Sequence, residues 1–299
     1  MTSDTPDGPK SGKIVVGVDE SEHARSAALW AAAEADRHGQ PLRIVLGADL
    51  DRLMRFATYE AIDHLRETGR VLLLETTAVI QQRFPHLTMT REFSSKEPVS
   101  ALHTSTGPGD TIVIGSRGRG GFRELMLGSV SLGVATGSAV PVIVVRGESE
   151  RPETAVVTAA VAGAADADWL VRAAQEAQVR KASLRLLSVR KRLPHLGSAA
   201  PTPDDDPEIV RRREDLEGAL APRVRADFPG LDITTDVVAG RSTAAVLVEA
   251  SRHADVLIMG AHRSLTGSSA GLGRVPHALL HHSHCPVAIM PRRSGDEED

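Results

Sequence analysis

A single cysteine, Cys285, stands in a chain of 299 residues, so no intrachain disulfide framework supports the fold, which fits a reducing compartment. Aromatic residues amount to only 3%, too few for the base-stacking platforms that hold single-stranded nucleic acid. A basic surplus is missing as well: the net charge is −4, without the cationic stripe of a nucleic-acid-coating protein. Lysine occurs only at positions 10, 13, 96, 181 and 191, leaving arginine as the main cation. No run approaches the roughly 20 apolar residues of a membrane span, and Met1 to Gly12 is polar and turn-forming, without the apolar stretch of a leader. These absences point to a cytoplasmic protein whose partners are small ligands or proteins. Its cores must be built mainly from Ala, Val, Leu and Ile.

What the chain does have is an internal repeat. Asp110-Thr-Ile-Val-Ile-Gly115 returns as Asp255-Val-Leu-Ile-Met-Gly260, and the same offset carries Gly128 onto Gly273 and Pro141-Val142-Ile143 onto Pro286-Val287-Ala288. The segment Phe84-Pro85-His86-Leu87 likewise meets Phe228-Pro229-Gly230-Leu231. Two copies of one domain are expected, at 13–148 and 153–293, between a disordered segment 1–12 and a disordered acidic tail 294–299. Each copy alternates short β-branched runs with helical stretches, the pattern of a parallel sheet covered on both faces. The first copy predicts strands at Lys13–Val18, Leu42–Ala48, Leu87–Phe93, Thr111–Ile114 and Val142–Arg146, with helices starting near Glu22, Leu53, Pro98 and Ser129. The second predicts strands at Ala155–Ala159, Leu184–Val189, Ile233–Val238, Val256–Met259 and Val287–Met290. Leu193 to Pro207 reads as a mobile loop, and its acidic run Asp204, Asp205 and Asp206 as a solvated helix entry rather than a metal site.

After the fourth strand the first copy runs Gly115-Ser-Arg117-Gly118, then, after nine intervening residues, Gly128-Ser129-Val130-Ser131. Glycines at 115 and 118 let backbone N–H groups approach an anion. Gly128 and Ser129 open a helix whose unpaired N–H groups and positive dipole end attract phosphate, and the hydroxyls of Ser129 and Ser131 can donate to the same oxygens. Glycine after a strand and serine before a helix are also ordinary turn and cap chemistry; what separates the two readings is the defined spacing after the correct strand. Arg117, Arg119 and Arg123 lie in or beside the loop, as phosphate donors or as solvated side chains. A Walker-type Gly-x4-Gly-Lys-Ser/Thr is absent, and no Gly-x-Gly-x-x-Gly follows the first strand.

This spacing, Gly-x2-Gly-x9-Gly-Ser, resembles the signature of the ATP-binding branch of the universal stress protein family. The opening Ile14-Val-Val-Gly-Val18-Asp19-Glu-Ser21, the alanine-rich helix with Trp30 and the closing Pro141-Val-Ile-Val-Val145 are similar to that family too. The resemblance implies an α/β fold of two tandem doubly wound five-stranded parallel sheets, strand order 3-2-1-4-5, of the adenine nucleotide alpha hydrolase-like type. It implies ATP, or ADP, AMP or cyclic AMP, with Mg as a companion of the nucleotide. Val18 and Asp19 would face the glycine loop across the crevice where the strand order reverses, with Val45 closing the adenine pocket. Asp19 and Ser21 also suit a helix cap. The resemblance further implies pairing through the last strands, Val142–Val145 and Val287–Met290, either within the chain or in a homodimer, and a protein client whose identity stays open.

In the second copy the spacing survives without the chemistry: Gly118 becomes Arg263, Ser129 becomes Arg274, Ser131 becomes Pro276, and an alanine of Val157-Thr158-Ala159-Ala160 stands where Asp19 stood. Loss of nucleotide binding is the simpler reading; a different anion held by Arg263 and Arg274 is the other. His277 and His281 share a helical face with Cys285 nearby, yet no partner carboxylate or second cysteine makes them a metal set. The chain reads as a regulatory nucleotide-binding stress protein with no assigned catalytic residue. A slow ATPase or phosphoryl-transfer enzyme on the same site, with Asp19 as its one carboxylate, and a protein-binding module preferring cyclic AMP or no nucleotide are the competing classes.

Overall fold

A computed structural model describes residues 12–118, 127–146, 152–163, 166–191, 218–261 and 272–291. The chain divides into two compact units, Met1–Val145 and Arg146–Asp299. The loop Leu193 to Pro207 with its acidic run, the tail from Ser294, and Arg119, Arg123 and Arg263 lie outside the described residues.

The first unit runs β1 (Ile14–Gly17), α1 (Glu22–His38), β2 (Leu42–Gly47), α2 (Leu50–Leu53), α3 (Tyr59–Arg83), β3 (Met89–Ser94), α4 (Pro98–Thr104), β4 (Thr111–Gly115), α5 (Ser129–Gly137) and β5 (Val142–Val145). All strand pairs are parallel in the order β3-β2-β1-β4-β5. This is the doubly wound order 3-2-1-4-5, with its reversal between β1 and β4. β1 and β4 are apolar and buried because helices cover both faces of the sheet. α1 lies against the sheet through Ala24, Ala27, Ala28, Ala31, Ala32 and Ala35, small side chains that let helix and strands approach closely. Ser21 caps its start by accepting from the Ala24 N–H, and Gly39 at φ 62° closes its end.

The sequence places a helix start near Leu53, where in fact α2 ends. The long helix α3 begins at Tyr59 behind a Thr58 cap. Met54, Phe56 and Tyr59 are exposed, so apolar residues around this junction do not mark a buried helix face. Gly12 belongs with the fold and not with the polar segment before it: a Cβ there would meet the Gly109 carbonyl oxygen at 1.9 Å.

The second unit runs β6 (Val156–Ala160), α6 (Ala167–Arg180), β7 (Ser183–Lys191), a helix α7 described over 218–227, β8 (Ile233–Gly240), α8 (Thr243–Ala250), a short 3-10 turn (Ser251–His253), β9 (Val256–Gly260), α9 (Arg274–His282) and β10 (Val287–Met290). Its strands are again all parallel, in the order β8-β7-β6-β9-β10, so the reversal falls between β6 and β9.

The repeated aspartates do the same structural work in both units. Asp110 Oδ1 accepts the Lys13 N–H at 2.9 Å, while Oδ2 accepts the Gly107 N–H at 2.8 Å and pairs with the Lys13 ammonium. Asp255 Oδ1 accepts both the N–H and the hydroxyl of Thr154, at 2.5 and 2.9 Å. Each carboxylate anchors the chain as it enters the unit's first strand. Burial pushes the Asp110 carboxyl upward, but the hydrogen bonds and charge of Lys13 with the Gly107 N–H outweigh it and hold the group below the ordinary carboxylate value.

Candidate functional site

In the first unit, β1 leaves the sheet at Gly17, and the Val18 N–H donates to the Val45 carbonyl at 3.0 Å. Both valines are buried, so the carboxyl ends of β1 and β2 form one apolar wall. Asp19 follows, half-buried, its Oδ1 accepting the N–H of Ser21 at 2.9 Å and the Ser21 hydroxyl at 2.5 Å. The Ser21 oxygen in turn accepts the Ala24 N–H at 3.1 Å and lies 3.4 Å from the Arg117 carbonyl oxygen. Asp19 thus orients the residue that caps α1 and also stands at the glycine loop; the capping and crevice positions coincide.

The four motif positions contribute in different ways. A Cβ on Gly115 would lie 2.7 Å from the carbonyl carbon and oxygen of His23, so glycine is required there because the first turn of α1 packs directly on the end of β4. A Cβ on Gly118 would lie 2.6 Å from Asp19 Oδ2; the loop rests on the carboxylate itself. Gly128 closes the loop, its N–H donating to the Ser116 carbonyl at 2.9 Å and its Cβ position lying 3.6 Å from the Gly118 nitrogen. The two halves of the motif therefore meet despite the residues between them.

Gly128 is the N-cap of α5, at φ −74° and ψ 150°, and provides no side-chain cap. The N–H groups of Ser129, Val130 and Ser131 open the helix, where intrahelical acceptors do not exist. Ser129 is exposed, Val130 half-buried and Ser131 buried. The Ser131 hydroxyl donates to the Gly115 carbonyl at 2.8 Å, so its proton pins α5 to the end of β4 and is not available for phosphate, contrary to the expectation from sequence. Of the two motif serines, Ser129 keeps an exposed position at the helix start. Arg117 is half-buried in the loop.

Strand register fixes the matching positions in the second unit. The Val161 N–H donates to the Leu187 carbonyl at 3.0 Å, repeating the Val18 to Val45 bond, so Asp19 corresponds to the exposed Ala162 and not to an alanine within 157–160, where the sequence match put it. α9 starts at Arg274 behind Gly273, again without a side-chain cap, but Pro276 removes one of its first N–H groups.

Further along α9 the rings of His277 and His281 stack with centroids 4.4 Å apart and a 32° tilt, and His282 lies 6.0 Å from His281. Among the described residues no third His, Cys, Asp or Glu completes a ligand set with them, and Cys285 is buried. Burial first, then His277, His282 and Arg146, push the His281 imidazole below its ordinary value. The Arg146 guanidinium donates to the Leu280 carbonyl at 2.7 Å at the end of the same helix.

Comparison with known proteins gives a consistent result. A universal stress protein of Mycobacterium tuberculosis is 26% identical over 306 residues, spanning 95% of this chain and 98% of its own. Another from that organism is 32% identical over 140 residues, 46% of each chain. The solved structure of a universal stress protein from Archaeoglobus fulgidus superposes with a TM-score of 0.69 at 20% identity, covering 96% of this chain and 98% of its own, a likeness of fold. The universal stress protein family matches residues 10–146 and again residues 156–291. With the family's pattern present in both units, the chain belongs to the universal stress protein family.

Proposed function

We propose that the first unit binds ATP or a related adenine nucleotide and that occupancy, rather than turnover, is its signal in a stress response. The observation that carries this reading is the convergence of Asp19, Gly118 and the uncapped start of α5 at the reversal between β1 and β4. Phosphates would lie on the N–H groups of Ser129, Val130 and Ser131 and on the Ser129 hydroxyl, with Gly115, Arg117, Gly118 and Gly128 shaping the loop around them. The base would lie toward Val18 and Val45, and Asp19 would meet the ribose side. Mg would accompany a bound triphosphate.

Binding selects and stabilises the liganded conformation by mass action. The test is direct: nucleotide released from the purified protein on denaturation is identified, and ATP, ADP and cyclic AMP are titrated by calorimetry. Retained or titrated adenine nucleotide supports the reading, and no heat or thermal shift with any of them defeats it. Steady phosphate release that disappears in Asp19→Ala would instead make the site that of a slow ATPase, the one reading in which the carboxylate beside Gly118 takes part in chemistry.

A further inference from the structure

In the second unit, α9 carries two imidazoles on one face, a helical turn apart. His277 and His281 stand at i and i+4, positions that a helix makes neighbours on its surface. Their ring centroids lie 4.4 Å apart with a 32° tilt. His277 is exposed and His281 half-buried, so the pair opens to solvent at one ring and is held by the protein at the other. Two imidazole nitrogens that each meet one divalent ion at about 2.0–2.1 Å, at a right angle to each other, set their ring centroids about 4.5 Å apart. The two rings already stand at that separation.

The first unit has no such pair at the matching place. α5 and α9 each run nine residues behind a glycine N-cap, and this match without a gap puts Leu132 at the place of His277 and Thr136 at that of His281. The Thr136 hydroxyl donates to the Leu132 carbonyl at 2.8 Å, a bond within its own helix. Where the first unit has an apolar side chain and a locally satisfied hydroxyl, the second has two nitrogen ligands. His281 also lies in the last turn of α9, where the negative end of the helix dipole favours a cation. The Arg146 guanidinium at this end is itself bound to the Leu280 and Ser283 carbonyls at 2.7 and 3.4 Å.

We propose that His277 and His281 form a two-histidine site for a borderline divalent ion of the nickel, copper and zinc group, with water in the remaining positions. Imidazole suits these ions, and a site that leaves positions open to water is a working arrangement for them. A third protein ligand would tighten the site without being needed to form it. Because the two ligands are one turn apart, a bound ion holds the C-terminal turn of α9 helical and stabilises the folded unit by mass action. The proposal is independent of the nucleotide reading and gives the second unit a ligand of its own.

The test uses the full chain, stripped with chelator and dialysed, with Zn2+ and Ni2+ alone as probes in calorimetry and in thermal melts. A site of one ion per chain and a raised melting temperature are the expected results. His277→Gln changes an exposed position and should leave the fold intact. It should weaken binding by more than about tenfold, the least that losing a group which merely supports a ligand costs, and should remove the thermal shift. His281→Gln should do the same, while His282→Gln, whose ring lies 6.0 Å from that of His281, should keep both. If His281→Gln fails to fold by circular dichroism, His277→Gln and His282→Gln decide. No binding of either ion, binding unchanged by His277→Gln, or an equal loss in His282→Gln would overturn the proposal.

Discussion

The two units share a strand order, an aspartate that anchors the entering chain and a glycine at the end of the fourth strand, yet they differ in what that glycine faces. Gly115 faces the backbone of α1, whereas Gly260 faces the side chains of Trp169 and Asp166. The fold is carried by apolar strands and by a few fixed close approaches, which tolerate duplication. The site depends on what stands at the two strand ends where the order reverses: Asp19 and Ser129 in the first unit, Ala162 and Arg274 in the second.

Substitutions at corresponding positions sharpen this contrast. The largest effect is expected from Gly118→Val: its Cβ must displace the Asp19 carboxylate, so ATP binding in calorimetry should fall below detection while circular dichroism shows the fold retained. Next comes the pair Gly115→Ala and Gly260→Ala. The first drives a methyl group into helix backbone and should cost about 1–3 kcal/mol in denaturant unfolding. The second meets a side chain that can move and should cost clearly less. Ser21→Ala removes the α1 cap, with an expected loss of about 1 kcal/mol and weaker ATP binding because Asp19 loses its bond to the Ser21 hydroxyl.

The smallest effects concern pH, and they also divide between the units. Asp110 has a lowered folded value, so its contribution to stability is present above the ordinary carboxylate value of about 3.9 and is lost as pH falls below it. Asp110→Asn should flatten that acid limb in thermal melts. His281 is also lowered, so its neutral form favours folding above about pH 6.5, and stability declines as pH falls from there. His281→Gln should remove the decline below about pH 6.5.

Much of the architecture was legible because strands buried on both faces are continuous apolar runs, as in Thr111–Gly115 and Val256–Gly260. The meeting of Gly118 and Gly128 beside Asp19 was legible because glycines at fixed intervals mark places where the backbone passes close to other groups. The role of each residue was less so. Gly115 serves helix packing and Ser131 serves a backbone carbonyl, uses that look the same in sequence as phosphate contact. The start of α3 was misplaced because Leu53, Met54 and Phe56 are exposed, which breaks the rule that apolar residues mark the inner face. Asp166 and Trp169 were missed since an acidic residue and an aromatic three apart at a helix start suggest a cap and a core residue. Only the Ala162 and Gly163 N–H groups that Asp166 accepts show the carboxylate turned back toward the end of β6.

The most direct measurement is the stoichiometry of ATP binding to the full chain by calorimetry, beside the Gly118→Val and Gly260→Ala variants. One nucleotide per chain, abolished by the first substitution and retained with the second, is the predicted result. Two nucleotides per chain, or binding that survives Gly118→Val, would contradict a nucleotide site confined to the first unit.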